Sequence, residues 1–176
     1  MLFNKDLISK YIAEKKIICK KHPTEELYIY NYSKKTQYKK AWDEITLACR
    51  GLILDADMNI VSRPFEKFFN YEEPEAQVFE MKMPLRMFDK MDGSLGVSYK
   101  VGGKVFIASR GLFTSPQAIE ANLILQEKYK YSLDKFEDGK TYMFEIIYPT
   151  NRIVVDYGDK RELILLAVID NETGKD

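Results

Sequence analysis

The spacing of apolar and polar positions divides this chain into short helices and strands. In residues 4–19 the apolar side chains Leu7, Ile8, Tyr11 and Ile12 form one stripe, with lysines and glutamates opposite. That spacing predicts an amphipathic helix, which Lys20-Lys21-His22-Pro23 ends. Residues 27–32 are aromatic and β-branched and predict a strand; the polar, basic stretch 33–40 predicts a loop. Residues 46–54 alternate, Leu47, Cys49, Gly51 and Ile53 against Thr46, Ala48, Arg50 and Leu52, and predict a strand. A turn over 55–59 sends the chain back through Ile60-Val61-Ser62. The methionine-rich stretch 76–87 predicts no clear element.

Residues 94–100 and 104–109 predict a hairpin around Val101-Gly102-Gly103. Thr114 as N-cap, Pro116 in the first turn and Gln117 closing a capping box predict a helix to about residue 131, with Ile119, Leu123 and Leu125 facing inward. Residues 132–140 are a polar connection. Strands follow at 141–148, 153–155 and 163–169, with Pro149-Thr150-Asn151 as a turn. The expected fold is α+β: antiparallel strands in two packed sheets, flanked by helices 4–19 and 115–131.

At 176 residues the chain suits one domain, 1–176, with a sizeable core. Its 45% hydrophobic and 31% charged residues are ordinary for a globular protein. Basic and acidic residues balance at 27 each, so bulk charge gives no argument for nucleic acid and any basic surface must be local. The lysines of 33–40 fit a solvated face or an RNA contact. Twelve tyrosines and ten phenylalanines supply core, and some are available for stacking on bases. Cys19 and Cys49 lack zinc spacing and are expected as reduced thiols. His22, the sole histidine, reads as a surface residue, which argues against histidine triads and histidine-rich metal sites. No apolar run is long enough to span a membrane, and the first residues lack a signal pattern. A cytoplasmic protein is expected, in the host cytoplasm if the source is viral.

Four positions break the apolar pattern with charge. Lys90 precedes Asp92-Gly93-Ser94, between the apolar Leu85 and Met87 and the apolar Leu95, Val97 and Tyr99. That context predicts a lysine at the end of one strand, a tight turn, and a second strand leaving. A lysine at the usual pKa of about 10.4 is an ammonium and no nucleophile. Desolvation or a neighbouring cation would free its lone pair to attack an electrophilic phosphorus or carbonyl carbon. Asp92 could then hold a metal or orient the lysine, and Gly93 would let backbone approach a ligand. Taken alone, Lys90 is first a solvated turn lysine. Arg50 lies in an apolar strand, where it snorkels or meets a buried anion. Lys67 sits among Phe65, Phe68 and Phe69, a setting suited to a phosphate clamp or to a lysine snorkelling from the core. Glu145, inside Tyr142-Met143-Phe144-Glu145-Ile146-Ile147, is costly there unless paired or metal-bound; Arg152 is the pairing candidate.

Together these positions resemble, in order, the RNA ligase 1 family of T-even phages, within the covalent nucleotidyltransferases. Lys90-Met91-Asp92-Gly93-Ser94 is similar to the family's nucleotidyl-lysine motif, and Phe144-Glu145-Ile146-Ile147 to its third motif. The likeness runs on through Pro149-Thr150-Asn151-Arg152-Ile153-Val154. Upstream, Tyr30-Asn31-Tyr32, Cys49-Arg50-Gly51, Ser62-Arg63-Pro64 and Glu66-Lys67-Phe68-Phe69-Asn70 also fit this type rather than DNA ligases.

The resemblance implies a nucleotidyltransferase, ATP-grasp-like ligase fold with ATP in a crevice between the sheets. It implies that Lys90 takes AMP from ATP, passes it to an RNA 5′-phosphate, and that an RNA 3′-hydroxyl then displaces AMP. Arg50 and Lys67 would clamp the β- and γ-phosphates, and Tyr30 would join the nucleotide-binding set. Glu145 would serve the ribose and the metal side, and Asp92 would orient or hold a metal water. Mg²⁺ or Mn²⁺ is the implied ion, and RNA ends, tRNA among them, the implied partner.

Two departures qualify this. Ser109-Arg110-Gly111 stands where the family carries Ser-Lys-Gly, so the role of Arg110 at the α-phosphate is open. The family's fourth and fifth motifs, a strand glutamate and a Lys-x-Lys pair, are not found after Glu145. The domain is therefore expected to be C-terminally truncated, with an uncovered sheet edge or apolar face and a tendency to self-associate. Three readings follow: an ATP-dependent RNA ligase; a ligase-like module that binds nucleotide or RNA ends without sealing, or half of a split ligase completed by a second chain; and, more weakly, a DNA ligase or capping enzyme.

Overall fold

The computed structural model describes residues 3–76 and 88–176. Two four-stranded antiparallel sheets carry the fold, one in the order β1-β2-β3-β4 and the other in the order β6-β5-β7-β8. Helix α1 (Lys5–Ala13) leads into β1 (Ile17–Lys21) and β2 (Leu27–Tyr32). Short helices α2 (Lys34–Lys39) and α3 (Glu44–Ala48) precede β3 (Arg50–Asp55) and β4 (Ile60–Ser62). The second sheet holds β5 (Ser94–Val101), β6 (Lys104–Ser109), β7 (Lys140–Ile147) and β8 (Glu162–Asp170), with α4 (Pro116–Lys128) between β6 and β7. The α+β class with two antiparallel sheets is as expected. So are strand 27–32 and the hairpin at 94–109.

The sheets meet through Leu27, Ile29 and Ile53 of one and Tyr99 and Ala108 of the other, with Phe113 closing the cluster. A second core lies under α1 and α3, where Ile8, Ile17, Tyr30, Ile45, Leu52 and Leu54 are buried. A third packs Ala121, Ile124 and Leu125 of α4 on Val105, Ile107 and Ile146.

Several expectations need correction, each for a local reason. The first helix stops at Ala13, because Glu14 caps it and Lys15 turns the chain at φ 57°. The β-branched Ile17 and Ile18 then enter a strand, which puts Cys19 opposite Tyr30. Residues 34–39 are helix rather than loop: Ser33 Oγ accepts from the Thr36 N–H at 3.1 Å. Asp43 and Thr46 form a capping box, so 44–48 coil and the strand begins only at Arg50. In α4 the cap is Ser115, one residue later than expected, with Pro116 opening the helix. Ala118, Ala121, Ile124 and Leu125 face inward, while Ile119 and Leu123 are exposed. The helix ends at Lys128, and a 3-10 turn, Lys130–Lys135, fills part of the connection.

Residues 153–155 form no strand and lie exposed. His22 is no free surface residue: its ring stands edge-on to Phe113 at 4.8 Å, and burial lowers its pKa. Both cysteines are free. Burial pushes the Cys49 thiol up to about 12, so it stays protonated and inert. The methionine-rich 77–87 stretch, with the predicted strand through Leu85 and Met87, lies outside the described residues. Among the described residues, no helix is long and apolar enough to cross a membrane.

Candidate active site

The site forms where the start of β5 crosses β7. The register places Leu95 opposite Glu145 and Ser94 opposite Ile146. Just before β5, the Gly93 N–H donates to Glu145 Oε1 at 2.9 Å. Gly93 is required for this approach, because a Cβ there would stand 2.5 Å from the Ile146 carbonyl oxygen. Asp92 Oδ2 accepts from the Val154 N–H at 2.7 Å and the Val155 N–H at 2.6 Å, and the Asp92 N–H donates to Tyr157 Oη at 3.0 Å. These bonds explain why the valines leave the strand pattern: Asp92 takes up their N–H groups. Ser94 and Asn151 exchange hydrogen bonds at 3.0 and 3.1 Å, fixing the turn after β7 to the same segment.

Lys90 is exposed beside these carboxylates. The Val155 and Val154 N–H groups, and after them the Lys90 charge, hold the Asp92 pKa below the carboxylate norm. Glu145 moves the other way. Desolvation raises its pKa, only partly opposed by the Gly93 N–H and by the charges of Lys90 and Arg50. The predicted partner Arg152 is not used, since it pairs with Asp156 at 2.9 Å.

Arg50 opens β3 opposite Asn31, its guanidinium 4.9 Å from the Phe68 ring centre. Burial lowers its pKa, and the like charge of Arg110 acts in the same direction. Arg110 lies over the Tyr32 ring at 5.7 Å, and its carbonyl accepts from Asn31 Nδ2. Gly51, at φ 96°, makes room for that carbonyl: a Cβ there would lie 3.1 Å from it. Arg50 is partly buried and Arg110 exposed, each held against an aromatic ring. Lys67 Nζ sits 4.1 Å from the Phe69 ring centre and donates to the Phe68 carbonyl. Trp42 stands edge-on to Tyr32 at 5.0 Å and to Phe69 at 5.5 Å, joining Lys67 to Arg110 through one aromatic row.

The fold thus brings Lys90, Asp92, Glu145, Arg50 and Arg110 into one charged cluster, with Lys67 at the end of its aromatic border. Tyr30 is buried in the first core beside Cys19, and Tyr32, two residues on, lies under Arg110. Sequence reasoning also missed Asn31, Trp42 and Tyr157. Trp42, the only tryptophan, set in a polar stretch, was the available signal.

Among the described residues no three metal-ligating side chains converge. Asp92 and Glu145 each commit one oxygen to backbone N–H groups, which leaves one oxygen on each. That set fits a hydrated Mg²⁺ carried by phosphates rather than an all-protein cage. A separate cleft, lined by Phe3, Met58, Arg63, Lys140 and Asn171, contains none of these groups.

Comparison with known proteins gives this arrangement a family. A model described as RNA ligase matches residues 48–175. A viral protein of Autographa californica nuclear polyhedrosis virus, named as a candidate bifunctional polynucleotide kinase/RNA ligase, is 28% identical over 195 residues, covering 97% of this chain and 27% of that protein. A protein of Thermovibrio ammonificans, named as a candidate RNA ligase, is 36% identical over 120 residues, covering 65% of this chain and 31% of its own length. The RNA ligase of Rhodothermus phage RM378 is 27% identical over 200 residues, covering 90% and 44%. The chain therefore spans between about a quarter and under half of these relatives. With the charged cluster, the chain belongs to the phage-type RNA ligase 1 family.

Proposed function

We propose that this chain carries the nucleotidyltransferase chemistry of an ATP-dependent RNA ligase, on a covalent nucleotidyltransferase fold. The observation that carries the reading is the Gly93–Glu145 hydrogen bond beside the Asp92 clamp. It holds the segment that follows Lys90 against a desolvated carboxylate and near two arginines. In this reading the Lys90 amine, having given up a proton, attacks the α-phosphorus of ATP. A P–N bond forms, the bond to the bridging oxygen breaks, and pyrophosphate leaves. Arg50 and Lys67 neutralise the charge that gathers on the leaving group, and Arg110 serves the α-phosphate. A 5′-phosphate oxygen of RNA next attacks the lysine-bound phosphorus and frees Lys90. A 3′-hydroxyl then attacks the activated 5′-phosphate and expels AMP. Asp92 and Glu145 would hold a hydrated Mg²⁺ or Mn²⁺, which supplies charge neutralisation on the phosphates. RNA or tRNA repair is the corresponding role.

The test is incubation with α-³²P-labelled ATP and Mg²⁺ or Mn²⁺, then a denaturing gel. Label on the wild type and none on Lys90→Ala is expected. A labelled Lys90→Ala protein overturns the assignment. A second reading, a module that binds nucleotide or RNA ends without sealing or that needs a second chain, is favoured by Arg110. It stands where the family carries lysine and is already engaged with Tyr32. It predicts ATP binding without label, and label on adding a chain that bears the Glu and Lys-x-Lys strands.

A further inference from the structure

Charge is unevenly distributed along this chain. Residues 10–40 hold nine lysines against three glutamates, while the whole chain has zero net charge. Of these, Lys16 and Lys21 pair with Glu14 and Glu26, while the α2 lysines lie beside the turn that carries Lys15. Ser33 Oγ donates to the Lys15 carbonyl at 2.6 Å and Thr36 Oγ1 to the Lys16 carbonyl at 2.7 Å, docking α2 onto the turn between α1 and β1. With Thr36 buried on the inner side, Lys34 and Tyr38, one helical turn apart, project outward. Tyr38 is 85% exposed. Among the described residues, neither Lys34 nor Lys39 has a carboxylate within salt-bridge distance, unlike Lys40, which meets Glu75 at 3.1 Å.

Two residues after α2 and Lys40, the chain reaches Trp42, at the aromatic border of the candidate active site. The Trp42 backbone N–H donates to the Lys40 carbonyl at 2.9 Å. The Trp42 ring then contacts Tyr32 and Phe69, over which Arg110 and Lys67 sit. Unpaired cations flanking an exposed aromatic ring match the chemistry of a single nucleic-acid strand, with phosphates spaced along a backbone and bases free to stack.

We propose that α2 and the adjoining α1–β1 turn are the docking surface for single-stranded RNA whose end lies at the active site, with Lys34 and Lys39 on phosphates and Tyr38 stacked on a base. This rests on the RNA ligase reading above. The test is fluorescence anisotropy with an oligoribonucleotide blocked at both ends, across a salt series, for wild type, Lys34→Ala/Lys39→Ala, Tyr38→Ala and a distant control, Lys104→Ala/Lys130→Ala. The slope of log affinity against log salt is expected to fall by about 1.4 when the two phosphate contacts are removed. Tyr38→Ala is expected to weaken binding roughly five-fold or more at unchanged slope. The control changes neither. Equal slopes for the α2 and control variants overturn the surface, as does a wild type that binds no RNA. Lys90 adenylylation, measured in parallel, is expected to be unchanged in all variants. If it is absent from the wild type while the slope still falls, the ligase chemistry fails and the RNA surface stands.

Discussion

At the scale of single residues, the site depends on two that have opposite relations to stability. Gly93 lets its N–H reach Glu145. In Gly93→Ala the new methyl meets the Ile146 carbonyl at 2.5 Å, so the segment must shift. Loss of about 1–3 kcal/mol is expected from denaturant titration, together with loss of adenylate transfer. Glu145 is desolvated and its carboxyl pKa is raised in the fold. A raised carboxyl favours the protonated folded state, so its stability contribution is present at low pH and lost as pH rises through the folded pKa. At neutral pH the ionised Glu145 therefore costs stability. Glu145→Gln, whose amide oxygen can still accept from Gly93, is expected to melt above the wild type at pH 7, with the gap narrowing toward pH 4, and to lose activity. A lower Tm at pH 7 would contradict this sign.

At the scale of elements, one latch between the sheets sets the two arginines. Asn31 on β2 and Gly51 on β3 both contact the Arg110 carbonyl at the end of β6. Asn31→Ala is expected to weaken ATP binding and lower the adenylylation rate with a modest loss of Tm, since it removes the Nδ2 bond to the Arg110 carbonyl together with a buried Oδ1 that has no partner among the described residues. Gly51→Ala must hold a side chain at φ 96°, a cost of about 1–2 kcal/mol, and is expected to fail in both assays. This level also shows what the sequence made legible. The strand Leu27–Tyr32 follows from its aromatic and β-branched content and the β5–β6 hairpin from a Gly-Gly turn, and the structure places both as expected. Short helices α2 and α3 were missed because they lack an apolar stripe; capping by Ser33 and Asp43, not periodicity, makes them. Arg50 and Glu145 stand out in the sequence as charges inside apolar strands, and Lys90 and Asp92 as a charged turn between two apolar segments; the structure brings the four into one cluster. Asn31 and Tyr157 do not stand out, because their contacts reach 79 and 65 residues along the chain. Tyr30 and Tyr32 share one aromatic strand; sequence position gave no warning that the buried core would take Tyr30 and the site Tyr32.

At the scale of the whole molecule, β8 is the edge strand of its sheet among the described residues and carries seven successive apolar residues, Leu163 through Ile169. Leu165 is 53% exposed on it. An apolar, uncharged edge is a template for pairing with another strand. Self-association that rises with protein concentration is therefore expected in size-exclusion chromatography with light scattering. Leu165→Lys is expected to reduce it while leaving the α4 core intact. Unchanged association in that variant would place the contact elsewhere.

The proposed chemistry of the whole molecule turns on one atom, Lys90 Nζ. Peptide mapping by mass spectrometry, after incubation with ATP and a divalent metal, tests it most directly. The expected result is a single AMP adduct on the peptide bearing Lys90, acid-labile as a phosphoramidate is, and lost in Arg50→Ala. An adduct on another lysine, such as Lys67, or no adduct on a folded chain that binds ATP, would contradict the assignment.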